Sequence, residues 1–140
     1  MTQEASEYLD AARRWFTEGW TGNVALADEL FGEALVTNGV HVGAAGPRGR
    51  ILERLAGFPD LTTEIVELFA AADKVVVHLI WRGTHTGTYG GVPATGKPVE
   101  IRDSAIWRVS DGKVQEILTL QDQFGFLKQV GYLPADVVPA

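Results

Sequence analysis

The hydrophobic period changes at Leu61, and no other feature of the chain constrains its fold as much. Before that point apolar residues recur every three or four positions. Residues 6–19 are the clearest case: Tyr8, Leu9, Ala12, Trp15 and Phe16 form one stripe, opposite Glu7, Asp10, Arg13 and Glu18. Gly19 and Gly22 break this helix. Asn23 is a candidate N-cap for a short second helix, VALADELF, and residues 47–57 suggest a third. The intervening GEALVTNGVHVGAAG reads as irregular or briefly extended. After Leu61 the period is two. TTEIVELFAA, KVVVHLIWRGTHTG, KPVEIRDSAIWRV and KVQEILTLQDQF are strand candidates, with turns at 72–74, 90–97 and 110–113. In SDGK, Asp111-Gly112 can take the positive φ of a two-residue hairpin. Helices followed by an antiparallel meander predict an α+β fold. A strongly twisted sheet with helices on one face would enclose a cone, a natural place for a cavity.

Strand parity then singles out polar groups on apolar faces. In VEIRDSAIWRV, the residues Val99, Ile101, Asp103, Ala105, Trp107 and Val109 share a face, and only Asp103 is polar. His85 shares a face with Val75, Val77, Leu79 and Trp81, and Asp122 shares one with Val114, Leu118 and Leu120. Two carboxyl groups in an apolar cavity push their pKa values apart, so one serves as acid and the other as base. The structural alternatives are that Asp122 caps or ends its strand, Asp103 pairs with an arginine, and His85 sits at a wet strand end.

Composition narrows the function. A chain of 140 residues is the size of one domain, with no linker or repeat dividing residues 1–140. No apolar run approaches the ~20 residues of a membrane span, and MTQEASEYLD is too acidic and polar for a secretory leader. Without cysteine there is no disulfide, thiolate metal site or cysteine nucleophile, and a cytoplasmic location is the expectation. A net charge of −6 with scattered basic residues argues against nucleic acid as a partner. The three histidines lack metal-ligand spacing, no G-x-S-x-G elbow occurs, and the glycines of GTHTGTYGGVPATGK form no phosphate loop. Neither metal nor cofactor is expected.

The segments FPDLTTEIVEL, GTHTGTYGGVPATGKPVE, IWRVSDGKVQEI and DQFGFLKQVGYLP, in that order, resemble the SnoaL-like polyketide cyclase family of the nuclear-transport-factor-two-like superfold. The resemblance implies a cone-shaped barrel in which a strongly curved, mainly antiparallel sheet wraps around N-terminal helices, often dimeric through the sheet. It also implies a pocket aspartate on the last strand, here Asp122, and assigns His85 to a histidine shared by many members. The chain departs from the family where relatives often carry His-Trp after the DGK turn (here Ile117 and Leu118) and His-Asp-Pro near the third helix (here Asn38, Gly39 and Val40). Asp103 replaces a neutral or small residue, and Trp20 a small polar one.

These readings predict a cofactor-independent, ring-forming cyclase or isomerase acting on a polyketide-type small molecule. Asp122 and Asp103 form the expected acid/base pair, with His85 a further catalytic candidate. Trp81, Trp107, Phe16 and Trp20 are expected to shape the substrate site, with Asn38 or Tyr8 as additional contacts. Paired carboxyl groups lean toward cyclic-ether closure. Aldol carbon–carbon closure and epoxide hydrolysis are the enzymatic alternatives, and a small-molecule binding module is the non-enzymatic one. A homodimer is expected, with Ile80, Ile106 and Ile117 as candidate contacts on the outer face.

Overall fold

The protein is described here by a computed structural model covering residues 2–138. Helix α1 (Gln3–Arg14) runs without a break into a π-helical turn at Trp15–Gly19. A five-residue helix α2 (Leu26–Leu30) follows, then strands β1 (Phe31–Thr37) and β2 (Val40–His41), and helix α3 (Ala45–Gly57). The remainder is β3 (Thr62–Ala71), β4 (Lys74–Thr84), β5 (Pro98–Ser110), β6 (Lys113–Gln121) and α4 (Gln123–Gln129). The six strands form one sheet in the order β2-β1-β6-β5-β4-β3. Every neighbouring pair is antiparallel except β1 with β6.

This is the expected α+β architecture, a curved, mostly antiparallel sheet with the N-terminal helices packed in its hollow. The extended excursion before α3 is β1 and β2. The second helix starts later than expected, because Asn23 makes no side-chain cap and Ala25 precedes the first helical residue. The SDGK turn has Asp111 at φ 54° and Gly112 at φ 75°, so both central residues take the left-handed conformation a tight hairpin needs.

Two irregularities position the site. The first is the π turn, where the Trp20 and Asn23 amides donate to the carbonyls of Trp15 and Glu18, each at 2.9 Å. The extra residue per turn swings Trp15, Phe16 and Trp20 onto the sheet. Trp15 meets Phe31 edge-on at 5.0 Å between ring centroids, and Phe16 lies 5.2 Å from Trp107. Gly19 lies so close to the Trp15 indole that a Cβ there would come 2.9 Å from Trp15 Cδ2 and nearer still to Cε3.

The second irregularity is a β-bulge. Val109 pairs with Val114, but Arg108 pairs with Glu116, leaving Gln115 as the extra residue. Beyond it the parity of β6 is inverted. Ile117, Thr119 and Gln121 sit opposite Trp107, Ala105 and Asp103 and face inward with them. Leu118 and Leu120 point outward, Leu120 with 82% of its surface exposed. Regular alternation predicts the reverse, and one inserted residue is the whole reason for the difference. On β4 and β5 alternation holds: Val75, Val77, Leu79 and Trp81 are buried with Val99, Ile101, Asp103, Ala105 and Trp107.

Candidate active site

Between the concave sheet face and the helices lies a cavity of ≈ 60 Å³. Trp15, Phe16 and Trp20 wall it from the π turn, and Ala105 and Trp107 come from β5. Ile117 and Thr119 come from β6, with Thr37 from β1. Helix α3 closes the remaining side with Pro47, Arg50, Ile51 and Arg54, which form one face of the helix at three- and four-residue spacing.

Asp103 is the carboxylate of this cavity and is only 4% exposed. The Thr119 hydroxyl lies 3.3 Å from Asp103 Oδ1 and 3.1 Å from the Ser104 carbonyl oxygen. That hydroxyl has one proton. It can donate to an ionised Asp103, or donate to Ser104 and accept from a protonated Asp103, so both charge states are accommodated. Burial pushes the carboxyl up to about 6, against the opposing pull of the Arg54 charge, the Thr119 hydrogen bond and the Arg50 charge. No salt bridge holds Asp103 among the described residues. An arginine does influence Asp103, as the structural alternative anticipated, but through its field rather than as an ion-pair partner.

Arg54 is 3% exposed. Its guanidinium carbon lies 4.1 Å from the Trp20 ring centroid and 5.5 Å from that of Trp81. Nη2 donates to Gln121 Oε1 at a long 3.4 Å, whereas Nε and Nη1 are buried with no acceptor. Burial lowers the pKa of this group, opposed by neighbouring Tyr89 and by the Asp103 carboxylate. Gln121 Nε2 in turn donates to the Tyr89 hydroxyl at 3.1 Å.

Of the residues nominated from sequence, the structure brings Asp103, Trp107, Phe16 and Trp20 together. Trp81 lies one layer behind, under Arg54, with its indole nitrogen unpartnered. Asp122 is elsewhere: it is exposed, and its Oδ1 caps α4 by accepting from the Gly125 amide at 2.9 Å. Strand parity paired the two aspartates. The bulge at Gln115 puts Gln121 in the inward position opposite Asp103 and leaves Asp122 to end the strand.

His85 is buried but does not line the cavity. Its ring stacks on Phe58 at 5.3 Å, meets Phe126 edge-on at 5.4 Å, and hydrogen-bonds Thr95 Oγ1 through Nδ1 at 3.0 Å. Its backbone ties the 86–97 loop to the sheet, donating to Lys97 and accepting from Thr95 and Gly96. Asn38 is also outside. Its side chain bonds both the amide and the carbonyl of Thr119, at 3.0 and 3.1 Å, extending the β1–β6 pairing by one residue. The Tyr8 hydroxyl accepts from the Gly112 amide at 2.9 Å and steadies the hairpin rather than a substrate.

Sequence reasoning missed Arg54, Arg50, Ile117 and Thr119. A signal for Arg54 existed: it falls on the apolar stripe of the third helix with Pro47 and Ile51. No group of three or more His, Cys, Asp or Glu suited to a metal ion occurs among the described residues, and no described helix is long and apolar enough to cross a membrane.

A curved sheet with helices in its hollow, holding an aromatic cavity with a single buried acid, defines a small α+β protein built around an internal site. The chain belongs to the SnoaL-like polyketide cyclase family, whose model matches residues 10–130. A SnoaL-like polyketide cyclase from Jannaschia sp. CCS1 superposes with a TM-score of 0.83 at 21% identity, covering 96% of this chain and 98% of its own. IdmH from Streptomyces antibioticus, assigned as a polyketide cyclase, gives 0.76 at 26% identity over 93% and 99% of the two chains. AclR from Streptomyces galilaeus, assigned as a hydroxylase, gives 0.75 at 24% over 98% and 85%, so the fold is shared by proteins assigned to different reactions. No match is found among curated proteins.

Proposed function

We propose that the chain is a polyketide cyclase or isomerase in which Asp103 carries the proton. The observation that supports this reading is the placement of a single buried carboxyl, pushed up to about 6, in an otherwise aromatic and aliphatic cavity. Near neutral pH such a group is ionised enough to act as base and basic enough to take a proton from carbon. The carboxylate removes a proton from the carbon beside a substrate carbonyl. The C–H electron pair forms the enolate, and the enolate carbon attacks a second carbonyl of the same chain. A carbon–carbon bond forms, and Asp103 returns its proton to the new alkoxide. Atoms and electrons balance with no redox partner.

The two-carboxyl arrangement that favoured cyclic-ether closure is not assembled, so aldol-type closure leads. General acid/base catalysis supplies roughly 10²–10⁴-fold, and fixing the folded chain against Phe16, Trp20 and Trp107 supplies the rest by orientation. With ≈ 60 Å³ enclosed, the cavity takes the reacting head of the substrate, and the remainder lies at the mouth beside Arg50. The test is deuterium incorporation at the central carbon of methylacetylacetone in heavy water. Wild type accelerates it and Asp103→Asn loses at least tenfold. Equal rates in the two proteins would end this assignment.

The dimer expectation keeps Ile106 and loses its other two residues. Ile117 and Ile80 are buried, whereas Phe69, Ile106, Leu118 and Leu120 form an apolar patch on the outer sheet face. We take a second copy of the chain as its partner, since a two-fold pairing covers the same patch on both protomers at once. Sedimentation equilibrium tests this. Leu120→Lys is expected to yield monomer, and an unchanged dimer would move the interface elsewhere.

A further inference from the structure

We propose that Arg54 holds an enolate oxygen of the substrate, so that the cavity selects a planar β-dicarbonyl head. The proposal rests on Asp103 as the proton carrier and adds the group that receives the charge.

The first observation is an uncompensated buried cation. Arg54 is 3% exposed, yet Nε and Nη1 have no acceptor and the contact of Nη2 to Gln121 is a long 3.4 Å. Leaving buried N–H groups of a charged side chain unpaired is unfavourable, and the two neighbouring indoles offset only part of that cost. Thr119 and Gln121, the nearby polar side chains of β6, are already engaged with Asp103 and Tyr89. Arg54 lines the cavity, so an oxygen entering it meets this side chain.

The second observation is the charge balance of the lining. Arg50 and Arg54 face one carboxylate, so with Asp103 ionised the cavity carries one net positive charge inside a chain of net charge −6. Proton transfer moves the negative charge from Asp103 to the substrate oxygen without changing that total. Arg54 then meets the charge where it develops, which is where a preorganised donor is most effective.

The third observation is planarity. The guanidinium carbon sits over the Trp20 ring at 4.1 Å and 5.5 Å from the centroid of Trp81, so two indoles confine a group that is planar by its own chemistry. A fixed guanidinium edge matches two coplanar oxygens better than one isolated carbonyl. The two oxygens of a β-dicarbonyl enolate meet that description, and the carbon between them bears the acidic proton that Asp103 would remove.

The test titrates wild type, Arg54→Lys and Arg54→Met with acetylacetone, using quenching of tryptophan fluorescence, with acetone as control. Wild type is expected to bind acetylacetone saturably, Arg54→Met at least tenfold more weakly, and Arg54→Lys in between. Acetone is expected to bind at least tenfold more weakly than acetylacetone. Circular dichroism and melting temperature report whether each variant is folded. A folded Arg54→Met or Arg54→Lys binding acetylacetone as tightly as wild type would overturn the proposal. So would acetone binding as well as acetylacetone, or no saturable quenching in wild type. Asp103→Asn tests the other claim through exchange alone, which it should lose. If its exchange is normal, the proton-carrier assignment fails, whereas the Arg54 binding series reads the oxyanion site independently.

Discussion

The guanidinium carbon of Arg54 lies over the Trp20 ring, 4.1 Å from its centroid, with no salt bridge among the described residues and with two nitrogens lacking any acceptor. A cation held in this way contributes cation–π attraction of about 2 kcal/mol or more when desolvated. Against that stands the cost of its dehydration. Replacing a buried, incompletely paired charge by an unbranched apolar side chain is often neutral or stabilising. Arg54→Met is therefore expected to melt at or above the wild-type temperature while losing catalysis. A substantial fall in melting temperature would mean that Arg54 is there for stability.

Asp103 makes stability depend on pH in a defined direction. Its folded-state pKa is raised from 3.8 to about 6, so between those values the unfolded chain is ionised while the folded protein keeps its proton. Stability from this group is complete below the unfolded value, falls as pH rises through the interval, and is lost above about 6. The full difference is on the order of 3 kcal/mol. Asp103→Asn should remove this dependence and be the more stable protein at neutral pH, as thermal melts at about pH 4 and pH 7 would show. The same ionisation predicts that kcat/KM for proton abstraction rises with pH and levels off just above about 6.

Asp122 has a different role. Its carboxylate closes the first turn of α4 through the Gly125 amide. Asp122→Ala is expected to destabilise by about 1 kcal/mol, and Asp122→Asn by less, because the amide oxygen still accepts. Neither should change turnover beyond about threefold, a small fraction of the effect of losing a general base. A large activity loss in a stably folded Asp122→Asn would return Asp122 to the site.

Gly19 sets how closely the π turn packs. A methyl group there would collide with the Trp15 indole, which is itself packed edge-on against Phe31. Gly19→Ala should cost roughly 1–3 kcal/mol through this overpacking. Because Phe16 and Trp20 flank the same turn, it should also weaken acetylacetone binding. Denaturant unfolding and the fluorescence titration read the two effects separately.

Much of the scaffold is legible in the sequence because period and parity are local properties. The SDGK turn, the third helix and the inward set of β5 follow from residue types a few positions apart. Asp103 could be read as an inward carboxylate because β5 is regular throughout its inward run. The error on β6 also has a local trace: Val114 and Ile117 are three residues apart, with the polar pair Gln115 and Glu116 between them. That spacing breaks strict alternation and marks the bulge. Once the bulge is counted, Thr119 and Gln121 turn inward and Asp122 leaves the site.

By itself the sequence determined the order of helices and strands, the aromatic supply of the cavity and the presence of one misplaced carboxylate. These depend on hydrophobic spacing, which a chain carries whether or not it is folded. Only the tertiary structure decided which polar groups meet. Arg54 reaches the cavity because α3 packs across the concave face, and Asp103 lacks an acidic partner because one extra residue rotates β6. Encounters between residues some fifty positions apart depend on packing and register, which no local period encodes.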